Sequence, residues 1–220
     1  MEELNCETAF TIPIFGGIPV AESVVVTWFI MAVLVIGSIL LVRGLRVENP
    51  GKRQLALETV IGTIYDFFYD LLGEEGKCYI PYLMTVAFYI ALSNMIGLLG
   101  MKSPTKDVGV TVALALMSII LIEFSGIRKK GPKKFLKSFA EPVPVMLPMN
   151  ILEIFIRPLS LCMRLFGNIL GAFVIMELIK IVAPLLVPIP FSFYFDIFDG
   201  LIQAYVFVFL TSLFIKDTME

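Results

Sequence analysis

The sequence predicts an all-α protein that crosses a membrane several times. Hydrophobic residues make up 58% of its 220 residues, and its mean hydropathy is +0.91, a profile typical of polytopic membrane proteins. Five apolar segments are each long enough to cross a hydrocarbon core of roughly 30 Å as a helix. These segments are residues 23–42, 79–101, 108–127, 143–187 and 192–215. We expect a single membrane domain over residues 1–220.

A sixth segment, residues 52–72, differs from the five spans because it mixes charged and aromatic side chains. This mixture favours an amphipathic helix that lies at the membrane interface. No internal repeat is visible in the chain, although many secondary transporters are built from such repeats.

The basic residues are distributed unevenly between the loops. Residues 1–22 contain no Lys or Arg, whereas residues 43–77 and 128–141 are rich in both. Because cytoplasmic loops collect Lys and Arg, we predict an external N-terminus, two cytoplasmic basic loops and a cytoplasmic C-terminus. The alternative for residues 128–137 is a nucleic-acid patch, but the net charge of −2 gives no support for nucleic acid as a partner.

The fourth span carries an unusual number of polar residues. A helix from about residue 145 to 187 would be roughly 64 Å long, so it must be steeply tilted or broken to fit a bilayer. Its polar residues recur every three or four positions and form a stripe on one helical face. They are Asn150, Glu153, Arg157, Ser160, Arg164, Asn168 and Gly171. Glu153 and Arg157 have the spacing of an ion pair, and a structural and a functional role for that pair both remain open.

Arg164 is the most informative residue of this stripe. No carboxylate stands three or four positions from it, and an arginine at the centre of a bilayer costs about 2.5–3.5 kcal/mol. It therefore needs a partner on another helix or subunit, or a water-filled cavity. Because ionisable residues inside a membrane are usually functional, we predict a functional role for Arg164.

Other intramembrane polar residues predict an aqueous path from the external side to the depth of Arg164. The candidates are Glu177, Asp196, Asp199, Gln203, Asp107 and Thr111. An N-cap is the alternative role for either Asp196 or Asp199. Glu123 lies near the cytoplasmic end of the third span, where an inner path and a simple interfacial position are equally open.

Several classes of site are not indicated by the sequence. The chain has no histidine, and its three cysteines, Cys6, Cys78 and Cys162, are widely spaced, so neither a metal site nor a cofactor is expected. The acidic N-terminus lacks the basic region of a cleavable signal peptide. No Gly-rich phosphate loop is present either, so we expect the chain itself to catalyse no nucleotide chemistry.

Four motifs give the chain a resemblance to a known family. They are "RPLSLCMRLFGN" at 157–168, "SNMIGLLG" at 93–100, "DVGVT" at 107–111 before "ALAL", and "LIQAYVFVFL" at 201–210. From about residue 50 to its end, the chain resembles subunit a of the F-type ATP synthase, the membrane stator beside the ring of c subunits. Arg-Leu-Phe-Gly-Asn inside a membrane helix is the most specific of these signals.

The resemblance implies roles for particular residues. Arg164 matches the essential stator arginine of the family, and Asn168 and Gln203 match polar residues beside the ion path. Asp196 stands where some members have a histidine in the outer half-channel. Members often have an acidic residue where this chain has Phe173, and Glu177, one turn later, is the candidate substitute.

The resemblance also implies a mechanism, partners and a location. Two offset half-channels would exchange ions with carboxylates of the c ring, with Arg164 between them and the last two spans tilted along the ring. The implied partners are the c ring, peripheral-stalk b subunits and membrane lipid, in a bacterial plasma membrane, with nucleotide chemistry in other subunits. The coupling ion is left open between H⁺ and Na⁺, and the carboxylates favour H⁺.

Two other functional classes compete with this interpretation. A self-contained secondary transporter would use Arg164 to bind an anionic substrate, and it would be expected to contain internal repeats. A structural scaffold would neutralise its buried charges in internal pairs, and it would tolerate Arg164→Ala.

Overall fold

A computed structural model describes residues 8–12, 18–45, 51–99, 103–132, 135, 147–182 and 188–219. This part of the chain is helical except for one short antiparallel hairpin and the connecting turns. The hairpin pairs β1 (Thr8–Ile12) with β2 (Ile18–Ala21). It lies within the segment 1–22, for which the sequence predicted an external position but no strands.

Seven α-helices follow the hairpin within the described residues. They are α1 (Glu22–Val42), α2 (Lys52–Gly76), α3 (Ile80–Met95), α4 (Val108–Lys130), α5 (Leu147–Val182), α6 (Pro188–Phe193) and α7 (Gly200–Met219). A π-helical turn, Tyr194–Asp199, joins α6 to α7. Five helical segments of this part of the chain are long and apolar enough to cross a membrane, which confirms the prediction of an all-α fold with five such helices.

Helix α2 and helix α3 follow each other closely but are not one regular helix. Gly73 adopts a φ of +68° inside α2, a left-handed conformation that suits glycine and interrupts the helical hydrogen bonds. A 3₁₀ turn, Lys77–Tyr79, then leads into α3. The break falls directly after residue 72, the predicted end of the amphipathic helix, whose position at a membrane interface stays a prediction.

Helix α5 contains 36 residues and is therefore about 54 Å long. It keeps its helical course across Pro158. The predicted span 143–187 is longer, but residues 143–146 and 183–187 lie outside the described residues. The same holds for residues 133–134 and 136–141 of the predicted basic loop.

Helix α7 occupies the centre of the bundle. It packs against α2, α3 and α4, while α5 packs mainly on α4 and touches α7 over a short length. The core between these helices is apolar and includes Leu83, Ile122, Leu165, Phe207 and Ile215, all of which are fully buried. Because lipid tails are as apolar as these side chains, close van der Waals packing is what favours contact between the helices here.

Large apolar side chains also cover much of the outer surface. Helix α1 exposes Trp28, Phe29 and Leu41, and α5 exposes Phe155, Met163 and Leu178. A soluble monomer rarely exposes apolar surface of this extent, so these faces fit contact with lipid or with a partner subunit.

Candidate functional site

Two polar cavities lie along the pair of helices α5 and α7, one toward each end. The first, which we call the Asp196 cavity, has a volume of about 400 Å³. The second, the Arg157 cavity, has a volume of about 260 Å³. Arg157 and Asn168, which lie in different cavities, are eleven residues apart on α5, or about 16 Å along the helix axis.

The Asp196 cavity brings together five of the predicted site residues. Asn168 Nδ2 donates to Asp199 Oδ2 at 2.8 Å and lies 3.4 Å from Gln203 Oε1. Ser192 Oγ donates to Asp196 Oδ2 at 2.8 Å. The carboxylates of Asp196 and Asp199 are therefore held by neutral donors, and neither forms an ion pair with a described residue.

Glu177 also lines this cavity, together with two lysines. Lys180 Nζ forms an ion pair with Glu177 Oε1 at 2.6 Å. Lys106 Nζ lies 4.7 Å from the centre of the Phe173 ring. The charge of Glu177 is thus partly balanced, unlike those of Asp196 and Asp199.

One wall of the Asp196 cavity consists of residues to which the sequence assigned no role. Asn94 Nδ2 donates to the carbonyl oxygen of Gly200 at 3.0 Å, and Thr105 Oγ1 donates to Asn94 Oδ1 at 2.9 Å. Gly97 leaves room for Asp196, since a Cβ at Gly97 would lie 3.1 Å from Asp196 Oδ1. The motif at 93–100 therefore holds the π-helical turn that carries Asp196 and Asp199. The single Asn and the two Gly residues of that motif were the available signal.

The Arg157 cavity lies near the C-terminal end of α7. Arg157 Nη2 contacts Glu153 Oε1 at 2.9 Å and Asp217 Oδ2 at 2.6 Å. Arg157 Nη1 donates to Thr218 Oγ1 at 3.1 Å, and the guanidinium lies 5.0 Å from the Phe214 ring. The predicted pair of Glu153 and Arg157 is present, and Arg157 also joins α5 to α7. Glu123 of α4 lines the same cavity.

An apolar layer separates the two cavities. It contains Leu161 and Leu165 of α5 and Ala204, Phe207 and Val208 of α7, each no more than 3% exposed. Polar groups therefore approach the centre of the helix pair from both ends without meeting inside it.

Arg164 lies at the level of this layer, but its side chain is exposed. Within the described residues, no hydrogen bond or ion pair joins its guanidinium to another side chain. Ser160, Met163 and Gly167 are exposed on the same face. The predicted stripe is thus only partly covered: Arg157 and Asn168 contact side chains of α7 or of the turn before it, whereas Arg164, between them on α5, is exposed.

A family model supplies the decisive comparison. The model described as ATP synthase A chain matches residues 24–216. The chain belongs to this family.

Curated relatives agree with this assignment. ATP synthase subunit a of Moorella thermoacetica is 36% identical over 92% of this chain and 92% of its own length. Subunit a of Legionella pneumophila, strain Philadelphia 1, is 36% identical over 93% of this chain and 89% of its own length. A relative from Propionigenium modestum, named as sodium ion specific, is 32% identical over 92% of this chain and 75% of its own length. As a subunit a of an F-type ATP synthase, the chain is a multi-pass membrane protein that takes part in ion transport and ATP synthesis within a complex of other subunits.

Two of the predicted path residues, Asp107 and Thr111, make contacts outside the lining of the Asp196 cavity. Asp107 caps α4, where its Oδ1 accepts from the backbone N–H of Gly109 at 2.8 Å, and its Oδ2 accepts from Ser23 Oγ. Thr111 is fully buried and lies 3.7 Å from the sulfur of Cys162. Neither side chain is among those that line the cavity. No group of three His, Cys, Asp or Glu side chains in the described part of the chain is arranged to hold a metal ion.

Proposed function

We propose that this subunit a supplies two offset half-channels and the charge that separates them. The Asp196 cavity is the half-channel open to the external side, and the Arg157 cavity is the half-channel open to the cytoplasm. The c ring lies against the exposed face of α5, where its carboxylates meet Arg164. The observation that carries this proposal is the exposed Arg164, unpaired within the described residues, at a level of α5 between the residues that line the two polar cavities.

The chemistry follows from the cost of a charge in lipid. A c-ring carboxylate crosses the lipid only when it is neutralised by an ion, because desolvation disfavours its charged form. The guanidinium of Arg164 keeps its proton under all ordinary conditions. It therefore attracts the arriving carboxylate, promotes release of its ion into one cavity, and repels a cation that would pass directly between the cavities.

The orientation and surroundings complete the proposal. The hairpin β1–β2 is external, the C-terminus is cytoplasmic, α2 lies at the membrane interface, and α5 and α7 are tilted along the ring. The complex lies in a bacterial plasma membrane and includes b subunits of the peripheral stalk. Each charge that crosses 100 mV releases about 2.3 kcal/mol, so several crossings drive the synthesis of one ATP.

The proposed coupling ion is H⁺. Asp196 and Asp199 are held by neutral donors beside open volume, an arrangement that suits a water-filled proton path. One relative is named as sodium ion specific, so ATP synthesis should be measured with a proton gradient and with a sodium gradient separately.

The decisive experiment uses vesicles that contain the whole complex with Arg164→Ala. We expect ion-driven ATP synthesis to be lost and passive ion leak to rise, with normal assembly. Arg53→Ala, which removes an exposed arginine of α2, serves as the matched control and should behave like the wild type.

Retained coupled synthesis in Arg164→Ala would reject the proposal and favour a structural scaffold. A transporter that binds an anion through Arg164 is disfavoured by its position, since this side chain lies on an exposed helix face and lines neither cavity.

A further inference from the structure

The Arg157 cavity contains three carboxylates, and they differ in their partners. Glu153 and Asp217 both contact the guanidinium of Arg157, at 2.9 Å and 2.6 Å. Glu123 makes no hydrogen bond or ion pair with any described residue, although Arg157 attracts it electrostatically from across the cavity. Because Arg157 already binds two carboxylates, its positive charge is largely cancelled where Glu123 lies.

Glu123 occupies a position in which a carboxylate is energetically costly. It lies on α4, between the buried Ile122 and the exposed Phe124, and is itself partly buried. A carboxylate inside a membrane helix is costly unless it has a partner or contacts water. Since no described side chain neutralises it by contact, water in the cavity is the remaining source of solvation.

The distance to Arg164 limits what Glu123 can do. It shares its cavity with Arg157, which precedes Arg164 by seven residues, or about 10 Å along α5. The exposed hydroxyl of Ser160 lies between these two levels. Glu123 thus lines the cavity at the level of Arg157 and not at that of Arg164, so we expect it to exchange ions with a carboxylate at Arg164 through water.

We propose that Glu123 is the ion-exchanging carboxylate of the Arg157 cavity, the group that relays the coupling cation between water near Ser160 and the surface at the C-terminal end of α7. This inference rests on the proposed function of the cavity as a half-channel. The other charged groups around the cavity are Lys130, Glu153, Arg157 and Asp217. Among its acids, Glu123 alone lacks an ion pair with a described residue.

The exchange leaves Glu123 unchanged after each ion. With H⁺ as the coupling ion, one carboxylate oxygen accepts a proton from hydronium, which leaves water, and later returns the proton to a second water molecule. With Na⁺, the carboxylate exchanges one water of the hydrated ion for a carboxylate oxygen and then reverses that exchange. No redox step or co-reactant is involved.

The test uses the whole complex in vesicles and compares Glu123→Gln with the wild type. We expect ion-driven ATP synthesis and ATP-driven ion pumping both to fall roughly tenfold, because a charged cleft raises the local cation concentration by at least this factor. Coupling should remain tight, without added leak. Glu123→Asp should keep most of the rate.

Glu75→Gln is the matched control. Glu75 lies at the end of α2, forms an exposed ion pair with Lys129, and does not line the cavity. Wild-type rates are expected. Equal rates for Glu123→Gln and the wild type would overturn the inference.

A chemical rescue separates a lost carboxylate from a disturbed fold. Glu123→Cys is prepared in a background in which Cys6, Cys78 and Cys162 are replaced by serine or alanine. Alkylation with iodoacetate adds a carboxylate and should restore the rate, whereas iodoacetamide adds a neutral amide of similar size and should not. Equal rates after both reagents would contradict the inference.

Measurement of Arg164→Ala in vesicles of the same kind shows whether only the role of Glu123 is wrong or the proposed function as a whole. If Arg164→Ala uncouples the complex but Glu123→Gln is fully active, the half-channel proposal stands and the assignment of Glu123 fails. If Arg164→Ala remains coupled, the proposed function itself fails.

Discussion

The two cavities differ in what holds their carboxylates. In the Asp196 cavity, Asp196 and Asp199 accept hydrogen bonds from the neutral side chains of Ser192 and Asn168. In the Arg157 cavity, Glu153 and Asp217 are bound by a guanidinium. A neutral donor orients a carboxylate without cancelling its charge, whereas an arginine does both.

This difference indicates that the two cavities use their carboxylates differently. The Asp196 cavity presents charged carboxylates along a π-helical turn, and such turns are frequent at functional sites. The Arg157 cavity uses most of its charge to fasten α5 to α7 and leaves one carboxylate, Glu123, without an ion pair in the described residues. Replacement of a carboxylate in the first cavity should therefore affect ion flow, whereas replacement of Arg157 should affect stability.

The largest predicted effect concerns the wall of the Asp196 cavity. A Cβ added at Gly200 would lie 2.8 Å from Asn94 Cβ, so Gly200→Ala must push α7 away from α3. We expect a loss of about 1–3 kcal/mol of stability, measured as lower resistance of the detergent-solubilised complex to heat. Gly62→Ala on α2 is the control, because no atom lies within 4 Å of its added Cβ and alanine favours the helix by up to about 1 kcal/mol. Equal stability of the two variants would show that the contact has no importance.

Asp199→Asn tests the charge of the Asp196 cavity. The amide keeps the size of the side chain but removes the charge that attracts cations, so ATP synthesis at low external ion concentration should fall roughly tenfold. A higher external ion concentration should restore part of the rate. Asp70→Asn, on the exposed side of α2, should be neutral. A loss of rate that no ion concentration relieves would point to a defect in assembly instead.

Arg157→Met tests the clamp between α5 and α7. Methionine retains much of the apolar stem but frees both carboxylates, whose side chains are 51% and 65% exposed. Because solvent screens such pairs, we expect a loss of only about 1 kcal/mol, measured as faster proteolysis at the C-terminus and a smaller effect of salt on stability. Arg157→Lys should retain part of the clamp. Wild-type resistance in Arg157→Met would show that the apolar contacts suffice.

The spans could be predicted from the sequence because their lengths follow from hydropathy alone. The predicted segment 23–42 became Glu22–Val42, and 108–127 became Val108–Lys130. The stripe on α5 followed from helical spacing in the same way. The sequence could not predict which residues of this stripe are covered by α7 and which are exposed. The spacing of residues along one helix does not show where a second helix packs against it.

The parts that sequence reasoning missed all depend on contacts between distant segments. Asp217 meets Arg157 sixty residues away along the chain, and Asn94 meets Gly200 across 106 residues. Local pattern can identify a polar residue as important, but only the packing decides its partner.

The smallest predicted effect is that of replacing Glu177. Within one cavity, this variant compares a carboxylate that is paired with a lysine with carboxylates that are held by neutral donors. Lys180 already balances its charge, so Glu177→Gln should lower the rate of ATP synthesis by no more than about twofold, well below the effect of Asp199→Asn. Lys180→Met is the complementary variant, because it removes the balancing charge and should raise the rate at low external ion concentration. If Glu177→Gln instead abolished synthesis while Lys180→Met had no effect, Glu177 would be a principal carboxylate of the path, and the partner of a carboxylate would not predict its role.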